Sequence, residues 1–309
     1  MTPDRLSVAV LGPGGVGGFL AAVLAREGSS VLVLASDDTS RAISQSGLRL
    51  ESPRFGSFTA SIRTAARLSE PVDVCLITVK ATQLRDAVDR APANALGPAL
   101  VIPFLNGIEH VGILRAVYPP SSVVAATIRI ETTKAGPGLI RQTSPFASVE
   151  IAASTDNRDR VESIAAHLRA AGLDVRDRDD ELVMLWDKFV LLVQMALLTT
   201  HERANVGAIR TRRREDAIAL IGEVAAVARA DGVDIDPKAV LHLLDSVPES
   251  MESSMQRDQA AGRPLELDAL GGALLRRAAR AGIAVPVTRR LVDDLQSRTG
   301  HPAPTHSDS

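Results

Sequence analysis

The chain of 309 residues contains a single cysteine, Cys75. No intrachain disulfide can form, so a disulfide-stapled scaffold is excluded and a reducing compartment is permitted. Cys75 lies in the apolar run Val72-Asp73-Val74-Cys75-Leu76-Ile77-Thr78-Val79, where a small buried strand residue is expected rather than a nucleophile. A basic excess is also missing, since 35 Lys and Arg face 37 Asp and Glu for a formal net charge of -2. That balance excludes the electrostatic footprint of a partner such as nucleic acid or an acidic membrane. The run Arg210-Thr211-Arg212-Arg213-Arg214 is the local exception and reads as a solvated helix start. Aromatic residues make up only 3% of the chain. No uninterrupted apolar run of membrane-spanning length is present. Residues 182–198 come nearest, but Asp187 and Lys188 interrupt them and a buried core helix is expected. No cleavage pattern of small residues follows the first apolar run, so a cytoplasmic protein is expected. There is no internal repeat. What remains is an ordinary globular composition, 45% hydrophobic and 23% charged, long enough for two domains with sizeable cores.

The most informative stretch is Gly12-Pro13-Gly14-Gly15-Val16-Gly17. It follows an apolar run, Leu6-Ser7-Val8-Ala9-Val10-Leu11, and opens into the helix-like Gly18-Phe19-Leu20-Ala21-Ala22-Val23-Leu24-Ala25-Arg26. A second apolar run, Val31-Leu32-Val33-Leu34, completes a β-α-β unit. In that setting Gly12 permits the tight turn, Gly14 lets backbone approach a pyrophosphate, and Gly17 lets helix and strand pack closely. The helix N-terminus adds N–H donors and a partial positive charge. A glycine-rich turn without a ligand would need none of this context, so a dinucleotide site is expected.

Strand-like runs at 31–34, 72–79, 99–104 and 122–128 alternate with polar or helix-periodic stretches, the pattern of a doubly wound parallel sheet. Residues 149–153 and 174–176 read as edge strands with a helix at 158–171 between them. Beyond residue 178 strand signals vanish. Helical periodicity covers 181–200, 215–231, 237–244, 264–281 and 286–297, three of them headed by proline. The expectation is an α/β Rossmann domain at 1–178, an all-helical domain for substrate and dimerisation at 179–298, and a disordered tail at 299–309. The cleft between the domains is the expected active site.

Lys80 and Gln83 follow the run 72–79 at the carboxyl edge where open α/β sheets bind ligands, and Asn106-Gly107 stands likewise after 99–104. Either pair also fits a plain reading, as a solvated helix start and a simple turn. Lys188 is set among Met184, Leu185, Leu191, Leu192 and Met195 on one helix face. It either snorkels to the surface beside Trp186 or sits in a cleft, where desolvation makes its ammonium a competent acid toward a carbonyl. Glu266 at a helix start could simply favour the dipole, and Ser253-Ser254-Met255 could be a cap.

In order, these motifs resemble the ketopantoate reductase family over nearly the full length. The resemblance rests on residues 12–17, Lys80 with Gln83, Asn106-Gly107, Trp186-Asp187-Lys188, and Glu223 ahead of Ala228-Arg229-Ala230-Asp231-Gly232-Val233. It continues through Ser253-Ser254-Met255-Gln256-Arg257-Asp258 and Glu266-Leu267-Asp268. It implies a helical second domain like that of 6-phosphogluconate dehydrogenase and reduction of a 2-oxo acid to a 2-hydroxy acid with NADPH, in pantothenate biosynthesis. It assigns Lys188 as catalytic acid and Glu266 to the nicotinamide ribose and the shape of the site. Ser254, with Asn106 and Lys188, falls to the substrate; Lys80, Gln83 and Asn106 fall to the cofactor; no metal is implied, and a homodimer is the expected assembly.

Two departures stand out. The family usually carries asparagines where this chain has Leu192 and Ala196, which suggests a bulkier or less polar carbonyl substrate; Thr199, Thr200, His201 or Arg203 could supply polarity instead. An arginine usually follows the second strand to hold the adenosine 2′-phosphate. Here Ser36 takes that position and Asp37 and Asp38 follow, so NADP(H) is expected from the resemblance and NAD(H) from the residues, unless Arg41 or Lys80 reaches the phosphate. An imine or other carbonyl reductase and a non-catalytic dinucleotide sensor are the alternatives.

Overall fold

The computed structural model describes residues 5–299. Two compact units emerge, one of residues 5–105 and 110–184, the other of residues 106–109 and 185–299.

The first unit contains β1 (Ser7–Leu11), β2 (Ser30–Leu34), β3 (Leu48–Ser52), β4 (Gly56–Ala60), β5 (Arg63–Ala65) and β6 (Val74–Ile77). It continues with β7 (Leu100–Pro103), β8 (Ala126–Arg129), β9 (Thr132–Gly136), β10 (Leu139–Gln142), β11 (Ser148–Ala152) and β12 (Asp174–Arg178). Five of these form an all-parallel sheet in the order β5-β2-β1-β6-β7. β1, β2, β6 and β7 are buried on both faces, which is why they read as unbroken apolar runs. The helices α1 (Gly15–Glu27) and α2 (Asp37–Ser46) follow β1 and β2.

The remaining strands correct the sequence reading. Those expected at 122–128, 149–153 and 174–176 do not extend the parallel sheet. They become β8, β11 and β12 of a separate three-stranded sheet, in which β11 runs antiparallel to β8 and parallel to β12. A single bridge, Val101↔Val123, ties its leading segment to β7. A four-stranded sheet, β4-β3-β10-β9, was not anticipated at all. Its members are short and expose one face, so they carry no continuous apolar run. This sheet packs on α1, with Gly18 against Ile140 of β10. Covered there and by the parallel sheet, α1 is buried from Gly17 to Leu24 and needs no polar stripe.

The second unit is helical, with helices Glu181–Glu202 (from Leu185 on), Val206–Arg212, Arg214–Ala230, Pro237–Ser246, Ser254–Ala260, Ala273–Ala281 and Pro286–Thr299. The first is long and apolar enough to cross a membrane, with mean hydropathy 1.7, but 67% of that stretch is buried, Trp186, Phe189, Val193 and Leu197 among it. Pro237 and Pro286 head their helices as expected. Pro264 does not: its helix starts at Leu267 with a π-helical turn over Asp268–Gly272. The basic run is engaged within the chain. Arg210 donates to Leu244 O at 2.6 Å, Arg213 pairs with Glu202 at 2.6 Å, and Arg214 pairs with Asp245.

Candidate active site

In the first unit the chain leaves β1 through Gly12, whose φ of +93° is the left-handed turn only glycine makes without strain. Thr78, just past β6, donates from Oγ1 to Leu11 O at 3.0 Å or Gly12 O at 2.8 Å and pins this turn. A Cβ on Gly17 would run into Gly12 O and Thr78 Oγ1, so the close helix–strand approach there requires glycine. A Cβ on Gly14 would meet nothing within 4 Å. Gly14 is the N-cap of α1 and no side chain caps it. The loop therefore keeps an open backbone surface at a helix N-terminus, the cradle a pyrophosphate requires, and residues 12–17 fit a dinucleotide.

Lys80 is half-buried at the N-cap of a short 3₁₀ turn, Ala81–Gln83, at the end of the parallel sheet that carries the glycine loop; Gln83 is exposed. At the end of β2, Ser36 is the exposed N-cap of α2, and its Oγ donates to Thr39 Oγ1 at 3.3 Å. Asp37 and Asp38 are exposed in the first turn, and Asp38 pairs with Arg41.

In the second unit Asn106 Nδ2 donates to Glu266 Oε2 at 3.0 Å, and Glu266 is only 6% exposed. Gly107, at φ +94°, lies so close to the start of the π turn that a Cβ would be 2.6 Å from Ala269 O. Glu109 of the same loop accepts from Arg276 at 2.7 Å, and Arg276 also donates to Asp268 at 2.6 Å. Two side-chain links and a glycine contact thus seat the segment 106–109 on the residues around Glu266. Single π turns of this kind are frequent at functional sites.

Trp186 is fully buried, its Nε1–H donating to Asp231 Oδ2 at 3.2 Å and its ring edge-on to Phe189 at 5.4 Å. Arg277 pairs with the same Asp231. These contacts fix the rotation of the long helix, and Lys188, about 200° around it from Trp186, is half-buried.

Ser253, not Ser254, is the helix cap, accepting from Gln256 N at 3.1 Å and hydrogen-bonded to the Thr199 hydroxyl at 2.8 Å. Ser254 stands next to it, exposed, in the first turn. Glu223 accepts from Val287 N, Thr288 N and Thr288 Oγ1 at 2.7–2.9 Å and so caps the last helix. Asp258, 5% exposed, is paired with Arg263 at 2.8 Å. The substituted helix positions are apolar: Leu192 is half-buried and Ala196 is 1% exposed. Thr199 and Thr200 are fully buried, His201 is bound by Glu202 and Asp294, and Arg203 is exposed. Thr199 and His201 are thus committed to the chain's own contacts.

Sequence reasoning gave no role to Thr78 or Lys134, and Asp231 entered it only within the motif at 228–233. Thr78 had a signal, being the polar residue that ends a buried run beside the glycine strand. Lys134 had none, and the pairing of Asp231 was hidden, because the partners Thr39 and Trp186 lie 95 and 45 residues away.

Residues 8–155 match the family model described as ketopantoate reductase PanE/ApbA, and residues 182–298 match its C-terminal counterpart. A 2-dehydropantoate 2-reductase of Mycobacterium tuberculosis is 31% identical, covering 96% of this chain and 98% of its own. An uncharacterized oxidoreductase, YkpB of Bacillus subtilis, is 30% identical over 93% of this chain and 97% of its own. Among solved structures, a PanE/ApbA family ketopantoate reductase from Ralstonia eutropha superposes with TM-score 0.85 at 29% identity, covering 95% and 99% of the two chains. A D-mandelate dehydrogenase with NADH and anilino(oxo)acetate superposes with TM-score 0.88 over 95% and 98%, but at 20% identity it shares the fold alone.

Proposed function

The chain belongs to the ketopantoate reductase family, and on that premise we propose that it reduces a 2-oxo acid to the 2-hydroxy acid with NAD(P)H, using Lys188 as general acid. The observation that carries this reading is the Asn106–Glu266 hydrogen bond of 3.0 Å around a carboxylate only 6% exposed. An amide from the loop after β7 and a buried carboxylate meet, and the resemblance assigns both to the site.

Residues 12–17, Ser36, Lys80, Gln83, Asn106 and Glu266 would hold the dinucleotide, which supplies a hydride when bound. The chain's own groups do the rest. The Lys188 ammonium donates a hydrogen bond to the substrate carbonyl oxygen, draws charge onto it, and passes a proton from Nζ to the resulting alkoxide. Glu266, oriented by Asn106, shapes the site around the nicotinamide ribose. Ser254 offers its exposed hydroxyl to the substrate carboxylate. With Leu192 and Ala196 in place of hydrogen-bonding groups, the preferred substrate is bulkier or less polar than ketopantoate. Each lost bond to a charged group costs about 1.5–3 kcal/mol.

Oxidation of NADPH and of NADH by the purified protein, with ketopantoate and a series of bulkier 2-oxo acids, tests the reading. Turnover is expected, with the bulkier acids ahead. Lys188→Ala should lower kcat by roughly 10²–10⁴ while the dissociation constant for the dinucleotide stays nearly constant. Undiminished turnover in that variant would refute the role of Lys188. Tight dinucleotide binding with no carbonyl or imine turned over would make the protein a sensor instead.

A further inference from the structure

We propose that Lys134 selects the 2′-phosphorylated dinucleotide, a task the residues directly after β2 leave undone; the proposal rests on the dinucleotide-binding reading above. In doubly wound folds the adenosine ribose lies at the end of the second strand, where an acid accepts from a free 2′-hydroxyl and a basic residue takes a 2′-phosphate. The local arginines are engaged here. Arg41 pairs with Asp38, and Arg90 donates to Ala35 O at 2.6 Å and Ala66 O at 2.8 Å. Asp37 remains exposed beside them. Taken by themselves, these residues favour NADH.

The β9 strand reverses that balance. It begins beside the glycine loop, where a Cβ on Gly15 would come within 2.7 Å of Thr132 O. Lys134 lies two residues further on, on the same side of the strand and about 7 Å along it. Its Nζ donates to Thr39 Oγ1 at 2.8 Å, and Ser36 Oγ donates to the same oxygen at 3.3 Å. An ammonium and a hydroxyl therefore converge over the first turn of α2. They do so on a neutral threonine only 4% exposed, with no carboxylate on Lys134 among the described residues to cancel its charge. A phosphate dianion would gain both donors; a 2′-hydroxyl would gain little from the charge. The placement is conspicuous in a chain with four lysines among 35 basic residues, two of the others being Lys80 and Lys188.

The test is the dissociation constants of NADPH, NADH and adenosine 2′,5′-bisphosphate, measured at one salt concentration for the wild type, Lys134→Ala and Lys134→Arg. The wild type should prefer NADPH. Lys134→Ala should weaken NADPH and the bisphosphate by roughly tenfold or more and leave NADH within about twofold, while Lys134→Arg retains the preference. A lysine that merely fastens the β9 hairpin to α2 would change both dinucleotides together and keep their ratio. An unchanged ratio in Lys134→Ala, or a wild type that prefers NADH, overturns the assignment alone. Failure of the wild type to bind either dinucleotide overturns the proposed function, and this assignment with it.

Discussion

Cys75 sits at the centre of β6 with no exposed surface, and burial pushes its thiol up to about 12. Almost no thiolate exists at neutral pH, so the residue is inert as a nucleophile. An aromatic disulfide reagent should label it only at the rate of unfolding, and at once in denaturant; rapid labelling of the native protein would mean that β6 opens. At the same scale, Lys188 and Asn106 stood out in the sequence because each breaks a local pattern, a charge in an apolar helix or a polar residue after a strand, whereas Glu266 fits a helix start and only the resemblance marked it. Lys134 breaks none. It is an exposed lysine in an exposed hairpin, and only the fold brings it to Thr39.

Among elements, the glycine loop separates what folding needs from what binding needs. Gly17→Ala drives a Cβ into Gly12 O and Thr78 and should cost about 1–3 kcal/mol of stability. Gly14→Ala meets no atom within 4 Å at an ordinary negative φ of -74°. It should melt like the wild type yet bind dinucleotide at least about tenfold more weakly, since the methyl intrudes where phosphate approaches. Equal losses of stability in the two variants would sink this distinction. The parallel strands and most of the helices could be read from the chain because burial on both faces, or on one helical stripe, leaves a periodic trace. β3, β4, β9 and β10 left almost none, being short, half-exposed and bounded by glycine, and the helix start at Leu267 was hidden behind a proline that fits a first turn equally well.

The molecule as a whole has carboxylates held below their usual range by arginines in both units: Glu150 and Asp174 in the first, Glu202 and Asp245 in the second. Glu150 of β11 is the deepest, 6% exposed. Burial works against its charge, but hydrogen bonds of 2.7 Å from Arg129 of β8 and Arg178 of β12 outweigh it. Because its pKa in the folded state lies below the unfolded value of 4.5, its contribution is complete above that pH and is lost as pH falls further. Thermal midpoints should therefore drop steeply below about pH 4.5. Glu150→Gln should lose roughly 2 kcal/mol at pH 7 and show a shallower acid decline; an unchanged acid profile would remove Glu150 from the account.

The segment 106–109 belongs to the helical unit although 75 residues of the other unit follow it in the chain. Asn106 and Glu266 are 160 positions apart. At a ribosome adding roughly 5–20 residues per second, the Asn106 loop emerges about 8–32 s before the carboxylate it will grip. The helical unit thus has to wait for residue 266 before it can take up a piece made long before, and the Asn106 loop spends that interval without its partner.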